Sequence, residues 1–438
     1  MRKKFFKKAL ALTLASTMAF SMVGCGSSSK DSSEGKSDDG TITLNVWHQW
    51  SNDTNELKGR YEEAVKAYEK ENPKVKIKTE TLDTEAYKTK INAEFAGDAK
   101  GIDVFYWWGA GTAKKLVDAG KVMPLDDYIT DEVKSNMMEG ATSAFEYDGK
   151  LYSVPMFSWY MTLFCNKALF EKAGAKLPNT YDELVDAVKK LEKIKGVTPM
   201  AAGAKDGWNA AFVYQALALR EVGATGVNDM LSGKKEFGDE GYTKAAEKVK
   251  DLYEMGAFGD NPLEQGNDDA NAAFENGKAA MRIMGSWFAN NVYTDKAATI
   301  KPEDVVALKI PTISDGKGEA TDYCGGFVES FWVNNNTKYK EEAAKFAIYI
   351  NEKMGVASYE TGSGFSGWKT KADESKLNPL FIQIKDLLSE GKQGVLAWDT
   401  SLEAEPAAVH NEQVQTLFAD GVDVKAFIEE HKAAINGK

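Results

Sequence analysis

Every one of the ten tryptophans in this 438-residue chain lies beyond residue 46: Trp47, Trp50, Trp107, Trp108, Trp159, Trp208, Trp287, Trp332, Trp368 and Trp398. Several follow directly on runs that read as strands, where the chain turns into a loop or a helix. An indole offers a broad apolar face and one N–H donor. Such faces pack on the C–H faces of sugar-like rings, while ring-edge hydroxyls need planar partners such as Asn, Gln, Asp or Arg. Each aromatic side chain buries about 150–250 Å², so two or three hold an uncharged ring without a charge pair. The candidate platforms are Trp47, Trp107, Trp108, Trp159, Trp208, Trp287 and Trp368. Gln49 would add hydrogen bonds, and Ser286 and Gly325 would offer hydroxyl or backbone contacts. Taken singly, each indole also fits a core position, and Trp159 also fits hinge packing.

Other chemistries find less support. Gly362-Ser363-Gly364-Phe365-Ser366-Gly367 matches G-x-G-x-x-G. A helical pattern precedes it where a dinucleotide site needs a strand, so it reads as a loop at a cleft edge that carries Trp368. There is no P-loop, no G-x-S-x-G and no H-E-x-x-H. His48, His410 and His431 share no metal-ligand spacing. Cys165 and Cys324 sit in apolar, strand-like runs and read as buried free thiols, not as a disulfide framework. No cofactor or metal is expected. A glycosidase would need two carboxylates about 5–10 Å apart. In the sequence, no carboxylate stands beside Trp107-Trp108 or Gly285-Ser286-Trp287.

The elements that must position these residues alternate in type. Residues 41–46 read as a strand, 55–72 as a helix ended by Pro73, and 74–80 as a second strand, a βαβ unit that implies a parallel sheet. A helix over 87–97 and a strand over 101–108 follow. Residues 156–164 read as a further strand. Around the Trp287 corner, 268–275 reads as a short helix, 278–284 as a buried strand, and Ser286 as the N-cap of the next helix. In open α/β sheets, ligands sit where strand ends meet helix starts. Residues 305–313 and 328–333 read as strands, and 340–352 as a strong helix.

Charge and leader narrow the class. Residues 1–24 have a basic start and an apolar run, which reads as a secretion signal. Net charge is −12, and removing the five basic residues of that leader takes the remainder to −17. A surface so acidic repels nucleic acid. A Ser/Gly/Asp-rich segment, residues 26–40, reads as a flexible tether.

Several segments resemble those of the bacterial extracellular solute-binding proteins of family 1, relatives of the maltose-binding protein. They are Gly277-Lys278-Ala279-Ala280-Met281 with its Gly-Ser-Trp corner, Asp148-Gly149-Lys150-Leu151-Tyr152-Ser153-Val154-Pro155, Asn166-Lys167-Ala168-Leu169-Phe170 and Gly325-Gly326. Met22-Val23-Gly24-Cys25 resembles a lipobox, which implies lipidation of Cys25. The resemblance spans residues 41–438. It implies an α/β, two-lobed periplasmic-binding-protein-like fold of type II, with parallel-type sheets flanked by helices and hinge crossings between lobes. The expected map is 1–24 signal, 25–40 tether, 41–157 with 306–327 as the first lobe, and 158–305 with 328–438 as the second. The implied function is the extracellular, lipid-anchored, monomeric binding component of an ABC importer. It would capture an oligosaccharide and deliver it to the permease transmembrane subunits. Where several relatives place polar contacts after the Trp107 strand, this chain has Gly109-Ala110-Gly111, so stacking carries more of the recognition. A polyamine or polyol-phosphate binder, an extracellular carbohydrase and a structural surface lipoprotein are the alternatives.

Overall fold

A computed structural model describes residues 40–52 and 55–437. The signal, Cys25 and the tether up to residue 39 lie outside the described residues. Two sheets organise the chain. The first has the order Glu329–Val333, Val104–Trp108, Ile42–His48, Val75–Thr81. Its last three strands are parallel, as the βαβ pattern requires, and Glu329–Val333 is antiparallel. Helix Glu56–Glu71 starts where Asn55 accepts from the Leu57 N–H, and it buries Leu57, Tyr61 and Tyr68. That side-chain cap satisfies one of the orphan N–H groups of a helix start.

The second sheet is built around the ten-residue strand Phe157–Asn166, nearly all of it buried. Its first half pairs with Asp322–Phe327, and its second half pairs with Ala279–Gly285 on one side and Val305–Leu308 on the other. Gly325 lets the first pairing close. Its φ is +138°, and a Cβ there would stand 1.9 Å from the Trp159 carbonyl oxygen. Only glycine tolerates both the angle and the approach.

Two separate apolar cores follow from these sheets. One holds Leu44, Val104, Tyr106, Phe331, Phe346 and Met354, and the other holds Phe164, Phe212, Met281, Phe288 and Phe418. The chain passes between them at residues 156–159, at 324–331, along helix Lys340–Glu360 and on either side of Trp368. Met156 packs in the first core and Trp159 in the second. Cys324 packs in the second and Phe331 in the first, joined through Val328. Helix Lys340–Glu360 begins in the first core and ends with Tyr359 in the second.

These pairings correct the expected lobe map. Residues 305–308 and 322–327 do not return to the first lobe, because they bond to the central strand of the second. Residues 329–333 and the first part of helix Lys340–Glu360 belong to the first lobe, not the second. The sequence order of strands was legible, but their partners were not, since both sheets offer apolar edges of similar composition.

Candidate functional site

The Gly-Ser-Trp corner forms at the end of strand Ala279–Gly285, just before helix Phe288–Thr294. Trp287, not Ser286, takes the N-cap position, and no side chain caps the helix. The Ser286 hydroxyl is fully buried and accepts the Tyr160 N–H at 3.2 Å, so it ties two strands together. The Trp287 ring folds back over Gly285. A Cβ on Gly285 would meet that ring at 2.1 Å.

Around Trp287 the second lobe gathers an aromatic wall. Trp159 stacks on Phe212 with centroids 5.3 Å apart and meets Trp287 edge-on at 5.1 Å. Trp208 meets Phe212 at 5.3 Å and Trp287 at 6.4 Å. Trp208 and Trp287 stay half-exposed, whereas Trp159 is 4% exposed. Buried Arg282 holds the base of this wall. Its guanidinium donates to Asn209 Oδ1, Asn267 Oδ1 and the Ala201 carbonyl. Those bonds fix helix Gly207–Val222, which carries Trp208 in its first turn, against helix Asn267–Glu275. Burial lowers the Arg282 pKa to about 9, even with the acidic charge of Glu275 nearby.

The first lobe contributes a second wall. Trp108 is half-exposed, with Tyr106 at 5.2 Å and Trp107 at 5.5 Å, both nearly edge-on. Trp107 and Trp47 lie at the rim of the first core, at 4% and 8% exposure. Lys90 Nζ stands 5.7 Å from the Trp47 ring centre. The two walls meet at Lys88. Its ammonium lies 5.1 Å from the Trp108 ring centre and 5.9 Å from that of Trp208, in the range of a cation–π contact with both. Glu85 anchors the same ammonium at 3.0 Å.

Polar groups missed in the sequence complete the cleft. Glu329 pairs directly across the sheet from Trp108. The expectation that no carboxylate stands beside that indole therefore fails, because strand pairing brings together residues 221 positions apart. The Trp108 and Trp159 indoles lie beside the Glu329 carboxyl and favour its charged form. Burial pushes its pKa up to about 8, and the charge of Asp399 adds to the rise. Asp399, raised by burial and opposed by the Lys88 charge, sits in the short helix Trp398–Ser401 of the second lobe. Phe212, Lys88, Glu329 and Asp399 gave no sequence motif. The one signal was a lone acid in the apolar run Val328-Glu329-Ser330-Phe331-Trp332-Val333.

Not every candidate joins this cleft. Trp368 is 1% exposed, packs in the first core, and donates its indole N–H to the Pro155 carbonyl at 2.6 Å. The glycine-rich segment that carries it is folded against the long strand through Phe365–Ser366. Gly325 acts in strand pairing, as described above. Gln49 is half-buried beyond the first strand, and its Oε1 has no partner among the described residues. Structure thus assembles Trp108, Trp159, Trp208 and Trp287 from both lobes, with Trp47 and Trp107 behind them.

Comparisons with known proteins agree with this architecture. The family model for bacterial extracellular solute-binding proteins matches residues 52–357. The multiple sugar-binding protein of Streptococcus mutans is 25% identical over 396 residues, covering 86% of each chain. The galactooligosaccharide-binding protein of Bacillus subtilis is 28% identical over 388 residues, covering 85% of this chain and 83% of that one. A structure solved in work on xylan utilization by the thermophilic bacterium Caldanaerobius polysaccharolyticus superposes with a TM-score of 0.85. It is 36% identical and covers 89% of this chain and 99% of its own. Two lobes joined by repeated crossings, tryptophans from both lobes brought together at Lys88 and a family match over most of the chain lead to one assignment: the protein is a member of the bacterial extracellular solute-binding protein family.

Proposed function

We propose that the protein captures an oligosaccharide between its two lobes and delivers it to the transmembrane permease of an ABC importer. The observation that carries this reading is the convergence of Trp108, Trp159, Trp208 and Trp287, from both lobes, on one cleft. Aromatic faces hold the C–H faces of an uncharged ring, and edge carboxyls and amides meet its hydroxyls. The sugar-binding names of the relatives from Streptococcus mutans and Bacillus subtilis support the same substrate class. Because the solute contacts both walls only when the lobes are shut, binding biases the hinge toward closure. The reading is of binding without turnover, by a monomer held at the outer face of the cell membrane through lipid on Cys25.

A thermal-shift screen against mono- and oligosaccharides tests it. A ligand at one hundred times its Kd stabilises the folded state by about 2.7 kcal/mol. At least one oligosaccharide is expected to raise the melting temperature, and Trp287→Ala is expected to remove most of that rise with the unliganded protein still folded. No shift with any saccharide, or a shift only with a polyamine, overturns the substrate class. Release of shorter products from labelled oligosaccharides would convert the reading to an extracellular carbohydrase.

A further inference from the structure

Four buried polar atoms without partners among the described residues fall at one end of the first-lobe sheet. They are His48 Nε2, Gln49 Oε1, Trp107 Nε1 and Glu329 Oε2. Gln49 follows the strand Ile42–His48, Trp107 lies at the end of Val104–Trp108, and Glu329 opens Glu329–Val333. Those strands are adjacent in the sheet. A buried polar atom left unpaired is destabilising, so the one that stands across from Trp108, Glu329 Oε2, calls for an occupant that pairs it.

Glu329 stands apart within this cluster. It is 5% exposed, and the indoles of Trp108 and Trp159, one from each lobe, lie beside its carboxyl. Tyr106, Trp108 and Trp159 surround it, and Asp399 faces it from the second lobe. Oε2 of the carboxyl is buried and has no hydrogen-bond partner among the described residues. Held proton-bearing by burial, such a group both donates and accepts, which matches a sugar hydroxyl.

We propose that Glu329 is a specificity-determining residue of the cleft, with Oε2 hydrogen-bonding a hydroxyl of the captured saccharide between the Trp108 and Trp159 platforms. The proposal rests on the oligosaccharide reading above. It gives the site a polar reader where the Gly109-Ala110-Gly111 loop offers none. A site built to hydrogen-bond a hydroxyl rejects analogues that lack it far more strongly than an apolar pocket does, because its buried partner is left unpaired.

Calorimetric titration of wild type, Glu329→Gln and Glu329→Leu with xylotetraose, chitotetraose and β-1,4-galactotetraose tests this. For a probe that binds wild type, Glu329→Leu should lower affinity at least thirtyfold and Glu329→Gln about three- to tenfold. Monodeoxy analogues of that probe supply the decisive readout. Removing one hydroxyl should weaken wild type about tenfold and the Glu329 variants not at all, a coupling that a scaffold role does not produce. If Glu329→Leu fails to fold, the Glu329→Gln titration with the deoxy series decides alone. Variants that bind every probe within twofold of wild type, or deoxy penalties unchanged by substitution, overturn the proposal. Should wild type bind none of the three probes but bind spermidine, the saccharide reading itself falls and takes this role with it.

Discussion

Trp287 owes its place to the residue two positions before it. Its ring lies over Gly285, where any Cβ would stand 2.1 Å from the ring's outer edge. That edge belongs to a half-exposed side chain, so Gly285→Ala should swing the indole aside and leave the strand intact. Affinity for the best oligosaccharide is expected to fall at least tenfold, with the melting temperature of the empty protein little changed. Unaltered affinity in a fluorescence titration would show that this ring is scaffold. The same logic of neighbours explains Trp368. Its N–H is satisfied by the Pro155 carbonyl, and Gly355 brings the helix backbone against its ring, so it serves the hinge core.

Among the elements, helices Gly207–Val222, Ala404–Thr416 and Val424–Ile435 of the second lobe are joined by an internal chain of hydrogen bonds. Gln215 Nε2 lies 2.9 Å from His410 Nε2, His410 Nδ1 lies 2.9 Å from His431 Nε2, and His431 Nδ1 lies 2.9 Å from the Phe427 carbonyl oxygen. With both rings neutral, Gln215 donates to His410, His410 to His431, and His431 to the carbonyl, so each polar group is paired. Burial lowers the His431 pKa to about 4, and burial together with His431 holds His410 well below its ordinary value. The unfolded chain, with histidine near 6.5, therefore binds protons first as pH falls. Stability from His431 is present in full above pH 6.5 and is lost between about 6.5 and 4, an effect of about 3 kcal/mol. Glu275, raised by burial beside Asp295 to about 7, acts in the opposite sense. The comparison must therefore be between proteins: His431→Gln should show a smaller loss than wild type in denaturant midpoints measured from pH 7 to pH 4. An equal loss in both would assign the acid sensitivity elsewhere.

At the scale of the whole molecule, the lobes also meet through backbone beside Asp399. Helix Gly111–Asp118 of the first lobe abuts helix Trp398–Ser401 of the second. Thr112 Oγ1 donates to the Asp399 and Thr400 carbonyls at 3.3 Å. A Cβ on Gly111 would meet the Ser401 carbonyl oxygen at 2.2 Å, a backbone atom that cannot swing away. Gly111→Val is therefore expected to wedge the lobes apart. In X-ray scattering the unliganded variant should have a larger radius of gyration than wild type, and its sugar affinity should fall by the fraction of time the lobes remain closable. A radius equal to that of wild type would place the hinge motion elsewhere. Sequence reading gave no hint of this contact, since residues 111 and 401 are joined only by the fold.

Local chemistry was readable without the structure. Strand ends followed by Gly, Ser and Trp, the helix start at Asn55, and the Asp-Gly-Lys and Asn-Lys segments depend on neighbours within a few residues, so a linear reading finds them. It therefore determined an alternating α/β chain with indoles at its strand ends, and the two lobes came from the family resemblance that those segments carry. Partnership between distant strands is different. Whether residues 305–308 join one lobe or the other, whether Trp368 is wall or core, and whether a carboxyl meets Trp108 all depend on which edges pair. Pairing is settled by burying two cores at once, a sum over contacts hundreds of residues apart. Only the tertiary structure decided it, and so only the tertiary structure placed Glu329 between the indoles of the two lobes.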